Sequence, residues 1–131
     1  MATWKELRNH IRSNYKLVDD SAEDIVSMAF NLKNRSQLIF VGLEEDPAGG
    51  QWAQISTVVG ELPQVDLKAA CHAAARMGIG GIILREGMNQ VFLSHSLPLE
   101  NVDINEFEDP LNILCIAGDI MEREFTGKDT Y

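Results

Sequence analysis

Residues 81–125, GIILREGMNQVFLSHSLPLENVDINEFEDPLNILCIAGDIMEREF, decide the fold. Ile82-Ile83-Leu84 and Val91-Phe92-Leu93 are β-prone runs on either side of Arg85-Glu86-Gly87-Met88-Asn89, a connection with the glycine and asparagine of a turn, so the pair reads as a hairpin. Leu97-Pro98-Leu99 ends the second strand, because proline cannot donate to a sheet ladder. Asp103-Ile104-Asn105-Glu106 then carries the spacing of a capping box and opens a helix. Asp109-Pro110 repeats the signal, so a restart of the helix at Pro110 is also open. Leu111, Leu114, Cys115, Gly118 and Met121 fall on one side of this helix and Ile113, Ile116 and Ile120 on another. Two apolar faces exceed what a surface helix needs, which predicts one against the sheet and one against a partner.

Upstream, Thr3-Trp4-Lys5-Glu6 is a second capping-box spacing, and Trp4, Leu7 and Ile11 recur at helical intervals, giving a first helix to about Ser13. Residues 15–23 read as a connection. Val26, Met28, Phe30 and Leu32 alternate with less apolar residues as a first strand, Asn34-Arg35-Ser36 forms the turn, and residues 38–43 are the continuous apolar run of a central strand. Glu44 to Gly50 supplies a charged turn, residues 52–59 a third strand, and Leu62-Pro63 its end. Asp66 then caps an alanine-rich helix with Leu67, Ala70, Cys71, Ala74 and Met77 as its buried face and Gly78 as its C-cap. From Glu122 on the chain turns polar, and 126–131 read as a frayed tail. The expected fold is α+β, a five-stranded antiparallel sheet with helices in the order α-β-β-β-α-β-β-α, in a single domain spanning 1–131.

With 131 residues the chain is long enough to bury a core without staples, and Cys71 and Cys115 read as buried free thiols of a reducing compartment. The N-terminus carries charges where a signal peptide needs an apolar stretch, so a soluble, cytoplasmic protein is expected. The net charge of −9 is uneven: residues 1–35 hold six Lys or Arg against five acids (+1), and 36–131 hold five against fifteen (−10). A body this acidic lacks the basic footprint of a nucleic-acid reader or an anionic-membrane binder, which leaves protein partners.

No spacing in the chain carries chemistry. Gly78-Ile79-Gly80-Gly81 leaves a helix and enters a strand, the reverse of a phosphate loop. Cys71 and His72 are neighbours on a helix and point about 100° apart, so they form no activated pair. His10, His72 and His95 lie on three elements without metal-ligand spacing, and Glu44-Glu45-Asp46 is followed by Gly-Gly-Gln-Trp rather than by calcium ligands. Glu106, Glu108 and Asp109 suit a helix N-terminus. No catalytic, cofactor or metal residue is expected. Lys5, Arg8, Arg12 and Lys16 form the one basic stripe, a solvated face or a docking surface for an acidic partner.

The order of elements, with Gly80-Gly81-Ile82-Ile83-Leu84-Arg85, with QVFLSHSLPLEN over residues 90–101 and with the helix from Asp103, resembles the type III secretion chaperone-like fold, in particular its YbjN-type branch of small bacterial proteins. The resemblance implies a homodimeric, non-enzymatic α+β protein that binds a protein client or regulates. It further implies that pairing uses the second helix and the strand after it, which makes Ala69, Ala70, Ala73, Ala74, Ile82 and Leu84 the expected interface. Helix one offers Trp4, Leu7, Arg8, Ile11 and Arg12 as a candidate site for an extended protein segment, either as a displaceable helix or as one permanently docked on the core. The alternative function is a small enzyme or ligand sensor whose pocket only the fold assembles.

Overall fold

The computed structural model describes residues 2–127. Helix α1 (Trp4–Asn14) is followed by β1 (Leu17–Asp19), β2 (Ile25–Leu32), β3 (Arg35–Glu45) and β4 (Gln51–Glu61), then by α2 (Leu67–Ala75), β5 (Gly81–Leu84), β6 (Gln90–Pro98), a 3-10 turn (Leu99–Asn101) and α3 (Ile104–Thr126). The strands form one antiparallel sheet in the order β1-β2-β3-β4-β6-β5. It has six strands where five were expected, because the connection after α1 contributes β1, which pairs Leu17 with Met28 and Asp19 with Ser27 across a bulge.

Register settles which side chains share a face. Ile39 and Val41 of β3, Ile55 and Val59 of β4 and Leu93 of β6 join Leu7 and Ile11 of α1 and Phe107, Leu111 and Leu114 of α3 in the core. Helix α3 lies along β3, β4 and β6, and Gly118 makes the approach close: a Cβ there would stand 2.4 Å from Thr57 Cγ2. The alternation of α3 is as expected, with Leu111, Leu114, Cys115, Gly118 and Met121 buried and Ile113, Ile116 and Ile120 exposed.

Several local expectations are corrected. The β2–β3 turn is Lys33-Asn34, with Lys33 at φ 55°, and β3 already begins at Arg35. Helix α2 ends at Ala75 with Arg76 as its C-cap, short of Gly78. Its inward residues are Ala70 and Ala74, and Cys71 is exposed, since a nine-residue helix whose small side chains face the core turns Cys71 outward. Helix α3 runs unbroken through Pro110 and on to Thr126, so there is no restart, and Glu122 is buried rather than part of a tail. The remainder of the expected tail, 128–131, lies outside the described residues.

Candidate functional site

All three helices contribute to the core on one face of the sheet, and the other face carries a cleft. The β4–β6 register puts Val58 opposite Phe92 and Ser56 opposite Ser94 on this side, with the two serine hydroxyls 2.9 Å apart. Phe40 of β3 stands beside Ser56, and Ile25 at the start of β2 faces Gly42, where the missing side chain leaves room. Ile25, Phe40, Gly42, Ser56 and Phe92, with Met88 and Arg85 from the β5–β6 turn, line a cleft of about 370 Å³ to which no helical residue contributes. Arg85 forms its lip. The guanidinium lies 5.7 Å from the Phe92 ring centre, donates to Gln54 Oε1 and stands 3.7 Å from Glu44 Oε1. The wall is apolar, with Asp24 and Glu44 as acids at the rim, and Ile25 and Met88 are each 42% exposed.

A second recess adjoins the first and shares Asp24 and Leu43 with it. Its other wall is α1, through Trp4, Lys5, Arg8, Asn9 and Arg12. Three of the five residues proposed for helix one, Trp4, Arg8 and Arg12, therefore reach this surface. Leu7 and Ile11 do not: both are buried in the core and offer nothing to a partner. The helix is also tied down. The Trp4 indole donates to the Glu23 carbonyl at 2.7 Å, and Arg8 donates to the carbonyls of Asp20, Ala22 and Glu23 at 2.7, 2.6 and 2.9 Å. Arg12 meets Asp20 at 2.8 Å, His10 Nε2 stands 2.6 Å from Glu108, and the Tyr15 hydroxyl donates to the other oxygen of that carboxylate. The arrangement is that of a docked helix whose basic residues hold the loop before β2.

The residues expected at a dimer interface separate. Ala70 and Ala74 are enclosed by the chain's own core and are unavailable, which corrects their assignment. Ala69 and Ile82 are half-buried, and Leu84, on edge strand β5, is 47% exposed. Ala73 lines a groove between α2 and α3 together with Met77, Ile113, Ile116 and Ile120.

Some of the titratable groups serve the structure. Asp46 accepts from the Trp52 indole at 2.7 Å and from the amides of Ala48 and Gly50, which holds its carboxyl below the ordinary range and builds the β3–β4 turn. His95 accepts from the Gly80 amide through Nδ1 at 3.1 Å, and burial lowers its pKa. Burial, then the charge of Asp119, pushes the Cys115 thiol up to about 11. Among the described residues no cluster of His, Cys, Asp or Glu is placed to hold a metal ion, and no helix is long and apolar enough to cross a membrane.

Reading the sequence missed the cleft. Its signal was the run at 38–43, apolar at consecutive positions and hence on both faces of β3, read from the sequence as a central strand. No family model and no curated protein matches the chain. Among solved structures, the chain is similar to one in the HopA1-SchA chaperone–effector complex, with a TM-score of 0.56 and 16% identity over 93% of this chain and 91% of that one. A likeness at that identity shows the fold, and the fold is the type III secretion chaperone-like α+β arrangement that the order of elements implied.

Proposed function

We propose that this chain is a non-enzymatic, chaperone-like binding protein of the YbjN-type branch, acting in the bacterial cytoplasm as a homodimer. Its client is an extended protein segment held on the uncovered face of the sheet. The observation that carries this reading is the cleft in which Ile25 and Met88, both exposed, and half-buried Phe40 surround the buried Phe92 ring, on the sheet face away from the helices. An isolated protein has no use for such a surface, and an apolar side chain of a partner removes it from water at a gain of about 1.5–3 kcal/mol. The adjoining recess along α1 extends the track for backbone beyond Asp24 and Leu43, and the acids Asp24 and Glu44 favour a segment with a basic residue beside its apolar one. The neighbour's presence in a chaperone–effector complex supports a protein as the client.

Selection of short peptides from a random library on the immobilised chain tests this. Enriched sequences are expected to carry a large apolar residue next to Lys or Arg. Ile25→Glu combined with Met88→Glu, both at exposed positions, is expected to weaken them at least tenfold, the loss of about 1.4 kcal/mol. Enrichment of no sequence, together with tight uptake of small apolar molecules by the same cleft, would replace the chaperone reading with that of a ligand sensor.

A further inference from the structure

Helix α3 exposes a second apolar surface, on the side away from the sheet. Ile113, Ile116 and Ile120 are 44%, 53% and 53% exposed, although each is large and aliphatic. Asp109 and Arg123 continue the same line, so the positions run 109, 113, 116, 120 and 123, spaced four, three, four and three. At about 100° per residue these five side chains lie within roughly 80° of one another, a seam about 21 Å long. That spacing is the one with which helices pack side by side. Next to the seam the groove against α2, of about 420 Å³, is walled by Ala73 and Met77, and the small side chain of Ala73 lets a neighbour approach closely.

The seam is symmetric about Ile116 in position and opposite in charge. Asp109 and Arg123 each lie seven residues from it, Ile113 and Ile120 three and four. A copy of the helix laid antiparallel across a twofold axis at Ile116 therefore sets Asp109 against the other copy's Arg123 twice over, with isoleucine against isoleucine between them. Arg123 is 58% exposed while it touches its own Asp119, so its guanidinium is within reach of a partner. Charge narrows the choice of occupant further. Residues 36–131 carry −10, a net charge that opposes self-association in general, whereas the seam pairs one acid with one base.

We propose that the chain forms its homodimer here, α3 against α3 in antiparallel array, with α2 flanking each side. This rests on the homodimer named above and specifies its surface; the client cleft is on the opposite face of the sheet and stays open in such a dimer.

Sedimentation equilibrium of the full chain tests the pairing. The wild type is expected to be a dimer at micromolar concentration, and Ile116→Asp, which brings two carboxylates together at the axis, a monomer with unchanged far-ultraviolet circular dichroism. Asp109→Arg alone is expected to weaken the dimer about threefold to tenfold, because two attractive contacts become repulsive, and adding Arg123→Glu to restore it. A wild type that is monomeric at 100-fold higher concentration would overturn both the homodimer and its surface. A dimer that survives Ile116→Asp would overturn the surface alone and point to the β5 edge. Failure of the double variant to recover would overturn the antiparallel register. None of these outcomes touches the client reading, which is decided by Ile25 and Met88.

Discussion

Behind the sheet, Arg35 Nε reaches Asp119 Oδ1 at 2.7 Å, and the same guanidinium lies 4.0 Å from Glu122, both acids being buried. Next to them Gln37 donates to the Thr57 hydroxyl at 2.6 Å, and Thr57 in turn donates to the Leu38 carbonyl at 2.8 Å. This polar network fixes α3 on β3 and β4. Removing one partner of a buried ion pair strands the other, so Arg35→Ala is expected to lower stability by about 3 kcal/mol in urea denaturation. His95 gives a pH dependence. Its folded pKa lies below the ordinary 6.5, so the unfolded chain binds the extra proton first. Its contribution is whole above pH 6.5 and is lost as the pH falls through the folded value. His95→Gln is expected to flatten the stability profile below pH 6.5, measured against the wild type by thermal unfolding across pH. Neither network was legible in the sequence. Glu122 read as the start of a polar stretch and Asp119 carried no signal, because nothing local reveals that Arg35, 84 positions before Asp119, arrives beside them.

At the scale of elements, caps and periodicity were enough to find all three α-helices and the five strands β2 to β6. Thr3 does accept from the Glu6 amide, and Asp66 from that of Ala69, as their spacings foretold. Strand β1 was missed for a physical reason. Three residues with a bulge have no alternation, and what makes them a strand is the ladder offered by β2, a non-local partner. Pro110 misled in the opposite direction. It lies in the seventh position of α3, and the exposed Glu106, whose carbonyl it leaves without an amide, can bond to water, so tertiary packing carries the helix through. Of the two roles considered for α1, the geometry favours the docked one, since Leu7 and Ile11 are core residues and His10 and Tyr15 grip Glu108. Deleting residues 1–13 would take Leu7 and Ile11 out of the core. The truncated chain is expected to lose its cooperative thermal transition, and a folded truncation would show that α1 is dispensable.

For the whole molecule, one arrangement carries the functional account. Packing three helices on one face leaves the cleft on the other lined by strand and turn residues alone, where Ile25 and Met88 are exposed to solvent and Phe92 is buried beside the Arg85 lip. The sequence announced the fold through its order of elements. It could not announce the cleft, because which face of β3 the helices cover is set by α3 packing, and the residues that meet there come from β2, β3, β4, β6 and the β5–β6 turn. The proposed client is an extended segment on that face, with its apolar anchor among Ile25, Phe40, Phe92 and Met88. The most direct measurement is a map of backbone amide chemical shifts as a selected peptide is titrated in. The largest changes are expected at residues 24–25, 40–44, 54–56 and 88–92, with the Trp4 indole proton moving as the segment reaches α1. Changes confined to Ile113, Ile116 and Ile120, or to the β5 edge, with the cleft amides unmoved, would contradict it.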